Sequence, residues 1–279
     1  MLENYSIPNH KLIKKICHTG MSSVFLAQNL VNYEFVVIKI LDFDPDDETD
    51  CKAVKRFDQE YDLLKHLNHP SIANIKDRVV SSHYVCIIME YFPNGDLSQK
   101  ISEGIDTSQA IDHFIQMVQG LEMIHERNIV HRDIKPRNIL FRSDDSLAIS
   151  DFGIARVMEQ SYGLTLKGII LGSPYYMSPE QIDDEKVDRR ADLYSLGAVF
   201  YEMLTGKKPF RGGSLMKIFY AHLNDPVPTL PALLKDYQPI IDLLLAKSPE
   251  DRFDCAADLL HALTMIKTPH KESTGLMLA

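Results

Sequence analysis

The apolar pattern of this chain changes once, near Pro93-Asn94-Gly95, and that change limits the folds open to it. Ahead of it the apolar runs are short, rich in β-branched residues and separated by turn residues, a pattern that predicts strands. Lys11–Cys17 and Val24–Leu30 flank a turn-like segment, His18-Thr19-Gly20-Met21-Ser22. Phe35–Leu41 is a third run, and Ile75–Val80 and Tyr84–Glu90 form a pair around Ser81-Ser82-His83. One helix interrupts them. Val54, Phe57, Tyr61, Leu64 and Leu67 recur at helical spacing after an acidic loop, Asp42–Asp50, and the helix is expected to stop before Asn68-His69-Pro70.

Beyond Pro93-Asn94-Gly95 the spacing is helical. Thr107–Arg127 is amphipathic, and Ala191–Leu204 is apolar nearly all round, which predicts a buried central helix. Shorter helices are expected near Leu215–His222, Tyr237–Ala246 and Ala256–Ile266. A strand-rich part followed by a helix-rich part reads as an α+β fold in two lobes, 1–92 and 93–268, with a polar tail over 269–279.

Composition narrows the function. With 279 residues and 45% hydrophobic content the chain can bury a core without covalent staples. The net charge of -9 argues against general nucleic-acid binding but allows a local basic site for a small phosphorylated ligand. Cys17, Cys51, Cys86 and Cys255 form no Cys-x-x-Cys pair, so reduced, intracellular thiols are expected rather than a zinc cage or disulfides. Met1-Leu2-Glu3-Asn4-Tyr5 lacks the pattern of a secretory signal, and no apolar run reaches the length of a membrane span. The expected setting is cytoplasmic, with this chain acting alone or as part of a longer protein.

Two metal signals fail on spacing. Asp42, Asp44 and Asp46 mimic the start of a calcium loop, but Asp47 replaces the required glycine and Ala53 the closing glutamate. His125-Glu126 opens like a zinc helix, but Ile129 stands where the second histidine belongs.

The chemistry concentrates in His131-Arg132-Asp133-Ile134-Lys135-Pro136-Arg137-Asn138-Ile139-Leu140, followed by Asp151-Phe152-Gly153 and then Ser178-Pro179-Glu180. Upstream stand Val36-Val37-Ile38-Lys39 and, on the following helix, Glu60. Each motif alone reads as a turn or a solvated charge. Together, in this order, they resemble the protein kinase family, over about Leu12 to Ile266. The resemblance implies the two-lobed kinase fold, with a small antiparallel sheet carrying one helix and a larger, mainly helical lobe.

What the resemblance implies for the site follows residue by residue. Lys39 holds the α- and β-phosphates of ATP and Glu60 holds Lys39. Asp133 orients the acceptor hydroxyl and takes its proton, and Lys135 places positive charge beside the moving phosphoryl group. Asn138 and Asp151 bind Mg²⁺. Ile16, Val24, Val37 and Leu140 sandwich the adenine, Met89 is the gatekeeper, and the Glu90 carbonyl and Phe92 amide bond the base. Cys17, Thr19, Gly20 and Ser22 lie in the phosphate-covering loop. Asp192 accepts backbone hydrogen bonds from the catalytic loop, and Arg252 pairs with Glu180. His131 and Phe152 pack rather than react.

Asp-x-Lys at Asp133–Lys135, with Ser173 in Gly172-Ser173-Pro174, looks like the serine/threonine branch, and Gly20-Met21-Ser22 looks bacterial. The implied substrates are proteins. Thr165, and after it Ser161, are the candidate activation-loop phosphosites, Arg132 the implied partner and Lys167 an alternative cation. Kinases of this type often pair as homodimers through the small lobe to phosphorylate each other.

The sequence departs from the family pattern where glycines are expected, at Cys17, Thr19 and Ser22. Glycine permits close backbone approach, so affinity for ATP is the property these replacements touch. Val37, in place of the usual alanine, adds bulk above the adenine. A non-catalytic scaffold is the main rival reading. The intact set of Lys39, Glu60, Asp133, Asn138 and Asp151 argues against it. A small-molecule kinase is disfavoured by the segment ending in Pro179-Glu180, which looks built to dock peptides.

Overall fold

Alternating β-branched and apolar residues build the small lobe from strands β1 (His10–Thr19), β2 (Ser22–Asn29), β3 (Phe35–Asp42), β4 (Ile75–Val80) and β5 (Tyr84–Glu90). They form an antiparallel sheet in the order β1-β2-β3-β5-β4. This is a computed structural model that describes residues 5–19, 22–151 and 174–266, apart from the side chains at 19, 56, 60 and 63. Period-two alternation gives the sheet two working faces. Phe25, Ala27, Val36, Ile38, Ile40, Cys86 and Ile88 close with Ile7 into a small core of their own. Opposed pairs Val24–Lys39, Lys39–Ile87 and Val37–Met89 share the other face, toward the cleft.

Strands β1 and β2 reach further along the chain than the sequence suggests. His18 pairs with Ser23 and Thr19 with Ser22, so the strands claim most of the segment read as a turn. Cross-strand pairing next to Val24 outweighs the local preference of Ser22 for a turn. The acidic loop is likewise shorter than expected. Helix α1 (Glu48–Leu64) starts inside it because the Asp47 carboxylate accepts from the amides of Thr49 and Asp50, at 2.7 and 3.4 Å. The helix ends at Leu64, and Leu67 is buried in the turn beyond it.

The large lobe opens with α2 (Leu97–Glu103), a short helix the sequence reading missed, capped by Asp96. Helix α3 (Thr107–Glu126) follows, capped by Asp106. Strands β6 (Ile139–Phe141) and β7 (Leu147–Ile149) form a hairpin too short to register as periodicity. After the short α4 (Pro179–Ile182) comes α5 (Arg189–Thr205), buried from Ala191 through Met203 as its all-round apolar pattern predicts. Helices α6 (Leu215–Asn224), α7 (Gln238–Leu244) and α8 (Ala256–Met265) complete the lobe. Gly197 lets α5 approach α7 closely, since a Cβ there would stand 2.5 Å from the Leu244 Cβ.

The principal core runs without a break from Phe57 and Leu64 of α1, through Ile72, to Phe114 of α3 and Phe200 of α5. The loop between α1 and β4 is attached to the large lobe. Ile149 N donates to Ser71 O and Ala73 N to Ile149 O, each at 2.9 Å, around a parallel bridge between Ile72 and Ile149. Among the described residues no helix is long and apolar enough to cross a membrane.

Candidate active site

The loop from His131 to Asn138 joins α3 to β6 and would be a poor platform without anchors. Asp192, fully buried in the first turn of α5, supplies the main one. Its Oδ2 accepts from His131 N at 2.8 Å and its Oδ1 from Arg132 N at 2.7 Å. His125, at the end of α3, places Nε2 2.8 Å from Oδ2. Burial pushes the Asp192 carboxyl up. The hydrogen bond and ring of His125, with the His131 amide, outweigh that and hold it below the usual range. A carboxylate at a helix N-terminus also gains from the helix dipole.

His131 is the second anchor. Its ring is fully buried, and burial holds its pKa below the usual imidazole range against the pull of Asp192 and Asp133. A neutral ring has one donor and one acceptor. Nδ1 accepts from Asp133 N at 3.2 Å, which leaves Nε2–H to donate to Ser150 O at 3.1 Å. One ring therefore ties the His131–Asn138 loop to the residue before Asp151. Gln181 Nε2 adds a bond to Arg132 O at 3.0 Å from α4. These bonds hold Arg132 and Asp151 at φ of 65° and 53°, a left-handed conformation that costs about 1–3 kcal/mol for a non-glycine residue.

The reactive groups converge on this frame. Lys135 Nζ donates to Asp133 Oδ2 at 2.7 Å. Asn138 Nδ2 donates to Asp133 O at 2.8 Å and to Asp133 Oδ2 at 3.1 Å, and stands 3.5 Å from Asp151 O. From the opposite lobe, Lys39 Nζ lies 4.0 Å from Asp151 Oδ1 and over the Phe57 ring at 5.8 Å. A carboxylate, a cation beside it, a carboxamide and a second carboxylate facing a lysine make a site suited to a polyanion and an attacking hydroxyl. The donor set fits Mg²⁺, because the Asn138 amide nitrogen is spent on Asp133 while its oxygen and the largely exposed Asp151 carboxylate offer hard oxygen ligands.

The sheet register brings Val24, Val37, Lys39 and Met89 onto the cleft face. Leu140 rises from the floor on β6, and Phe92 is buried just past β5. Ile16 falls at a register shift between Lys15 and Cys17 and is 48% exposed. Cys17 is exposed too. Partial desolvation by the surrounding protein, then the Asp151 charge, push its thiol up despite Lys15 and Lys39, which disfavours a reactive thiolate. Ser22 is buried on β2. Gly20, Phe152, Ser161, Thr165, Lys167, Ser173 and the side chains of Thr19 and Glu60 lie outside the described residues.

On α4, next to Gln181, Glu180 forms a two-pronged pair with Arg252 at 2.7 and 2.8 Å, with side chains 3% and 0% exposed. The guanidinium also donates to the carbonyls of Ala246, Lys247 and Arg190, so its donors are satisfied. Sequence reasoning paired these residues only through the family resemblance. It missed His125, whose signal was a histidine on the apolar face of α3 next to Ile124. It also missed Ser150, which carries no local signal, and Gln181, whose signal was the Ser-x-x-Gln capping box opened by Ser178.

Comparison with known proteins agrees with this geometry. The family model described as protein kinase domain matches residues 10–263. The serine/threonine-protein kinase PknB of Mycobacterium leprae is 35% identical over 250 residues, covering 86% of this chain and 40% of that protein. PrkC of Bacillus subtilis, also a serine/threonine-protein kinase, is 33% identical over 256 residues, 90% of this chain and 39% of its own length. PknA of Corynebacterium glutamicum is 33% identical over 275 residues, 95% of this chain and 58% of its own. The chain thus spans about half the length of these relatives, or less. The match over nearly the whole of both lobes, on a fold that gathers Lys39, Asp133, Lys135, Asn138 and Asp151 in one cleft, makes this chain a member of the protein kinase domain family.

Proposed function

We propose that this protein transfers the γ-phosphoryl group of ATP to serine or threonine hydroxyls of proteins. The observation that carries the proposal is the cluster of Asp133, Lys135, Asn138 and Asp151, with Lys39 4.0 Å from Asp151 across the cleft. The adenine lies between Val24 and Val37 above and Leu140 below, with Ile16 at the rim, Met89 behind and the Glu90 carbonyl and Phe92 amide on its edge. Lys39 binds the α- and β-phosphates, oriented by Glu60, and the backbone of Cys17, Thr19, Gly20 and Ser22 covers them. Mg²⁺, held by Asn138 and Asp151, supplies charge neutralisation on the triphosphate. Asp133 orients the acceptor hydroxyl and accepts its proton. Lys135, bonded to Asp133, sets positive charge where the transferred group passes.

We also propose that the protein phosphorylates its own activation segment, on Thr165 ahead of Ser161, in a transient homodimer. Among the described residues the Arg132 guanidinium makes no hydrogen bond, while its backbone is fixed by Asp192 and Gln181. A phosphate on Thr165 pairs with it.

The test is intact mass and ATP turnover of the purified chain with Mg²⁺, beside Asp133→Asn. Added phosphate in the wild type, and turnover lower by about three orders of magnitude in the variant, are expected. Equal turnover in both overturns the assignment of Asp133. No phosphate and no turnover, with ATP still raising the melting temperature, supports a scaffold instead. Full activity of Thr165→Ala overturns the activation-segment proposal alone.

A further inference from the structure

Arg142 follows β6 in the turn toward β7, and its guanidinium joins segments far apart in the chain. Nε donates to Glu90 Oε1 at 2.5 Å and one Nη to Glu90 Oε2 at 3.1 Å, a fork-on-fork pair. The other Nη donates to Pro70 O at 2.7 Å and reaches Leu147 O at 3.4 Å. The guanidinium lies over the Phe92 ring at 5.4 Å. Both charged side chains are about a fifth exposed, at 22% for Arg142 and 21% for Glu90. The geometry is bidentate and braced, unlike that of a lone surface pair.

The strap these contacts hold is the connection between the lobes. Glu90 is the last residue of β5; its N–H donates to Asn74 O at 3.0 Å, and its Oε2 stands 3.4 Å from Asn74 N. At the far end Asn94 N donates to Phe141 O at 3.2 Å and Asn94 Nδ2 to Arg142 O at 2.9 Å. Without the Arg142 side chain the strap would be fastened to β6 only from Asn94 onward. With it the grip extends back to Glu90, and the stack on Phe92 holds the middle. The stretch so fixed carries the backbone groups assigned above to the adenine.

We infer that Arg142 is a positioning residue for nucleotide binding: by clamping Glu90 and Phe92 it holds the adenine-reading backbone in its binding shape before ATP arrives. The inference rests on the ATP reading above. Preorganisation lowers the ordering cost of binding and leaves the chemical step alone. Arg142→Lys keeps the charge but loses the fork. It is expected to raise the KM for ATP and the Kd for Mg-ADP together, each by about tenfold, with kcat within about twofold and the KM for a protein acceptor unchanged.

Calorimetric titration of the whole chain with Mg-ADP, together with steady-state kinetics on myelin basic protein, decides the matter. Glu90→Gln should weaken ADP to a similar degree. The double variant Glu90→Arg/Arg142→Glu should bind ADP more tightly than either of its single changes. If Arg142→Ala fails to fold, Arg142→Lys and Glu90→Gln carry the test. Variants that fold and bind ADP within about twofold of wild type, or that lose only kcat or only melting temperature, overturn the inference. A wild-type chain that binds no Mg-ADP overturns the nucleotide reading and this inference with it, and is a different result from wild-type binding that the variants leave unchanged.

Discussion

Arg132 and Asp133 sit in a loop whose amides end on a buried carboxylate and a buried imidazole. Across the cleft, the β1–β2 hairpin turns Ile16 and Cys17 to solvent and has residues other than glycine at three places where its family keeps glycine. The two regions serve the same cleft by opposite means. The loop is over-determined: Asp192, His131 and Gln181 bond it directly, His125 braces Asp192, and the Glu180–Arg252 pair fastens the helix that carries Gln181; it holds left-handed residues as a result. Among its described residues the hairpin is held by strand pairing and by the 3.1 Å contact of His18 Nδ1 with Ser23 Oγ, and the phosphate-covering role proposed for it asks only for backbone amides, which almost any residue supplies. The loop proposed to act through side chains is dense with polar anchors, and the hairpin proposed to act through its backbone carries side chains that a glycine loop would not.

The strongest way to break this comparison is through the pair that fastens the helix bearing Gln181. Arg252→Ala leaves Glu180 charged and buried, and is expected to lower stability by about 3–5 kcal/mol, read from urea unfolding. An effect below about 1 kcal/mol would mean that the pair is not an anchor. Next comes Asp192→Asn, which offers one acceptor oxygen and an NH₂ to a position where several donors converge. We expect kcat to fall about 100-fold, near 2.7 kcal/mol, with the KM for ATP little changed. A larger change in KM than in kcat would shift the role of Asp192 away from the loop.

Acid should reach the large lobe first. His222, buried in α6 with Nδ1 2.9 Å from the Tyr194 hydroxyl, has its pKa pushed down to about 3, chiefly by burial and then by Lys247. A depressed histidine binds its proton more readily in the unfolded chain. Its contribution is therefore complete above the unfolded pKa, near 6.5, and is lost as pH falls toward the folded value. Between pH 7 and 5 roughly 2 kcal/mol should disappear. His222→Gln should flatten that slope, measured by urea unfolding at each pH. The smallest effect belongs to the hairpin: Cys17→Gly with Thr19→Gly should change the KM for ATP by less than about fivefold and leave kcat alone. A large gain in kcat would show that Cys17 and Thr19 restrain turnover.

The same contrast explains what could be read in advance. β4 and β5 begin and end where the alternation of Ile75–Val80 and Tyr84–Glu90 places them, because pattern and pairing agree there. α5 was legible because its composition is apolar on every side. β6, β7 and α2 were not, since strands of 3 residues and a helix of 7 carry too few periods to be seen. At the site, the motif residues were legible through the family resemblance, while His125, Ser150 and Arg142 were not. Their roles depend on partners 67, 19 and 52 positions away, a separation that no local window spans. The start of α1 was legible in principle, since Asp47 ahead of Glu48 and Asp50 is a helix-start signal, but the run of acids around it reads equally as a solvated loop.

The loop seated on β7 has a consequence for how this chain can be divided. Cutting at Pro93 separates the lobes in sequence but not in space, for Ile72 is bridged to Ile149 and its neighbours hydrogen-bond that strand from both sides. A fragment ending at the hinge would carry Leu67 and Ile72 without the surface that covers them, and the remainder would lose the cap over Ile149 and the far end of the Arg142 clamp. The natural seam of the molecule lies through the turn after α1, so the sheet and its helix meet the rest as halves of one cooperative unit rather than as modules that could be exchanged between chains.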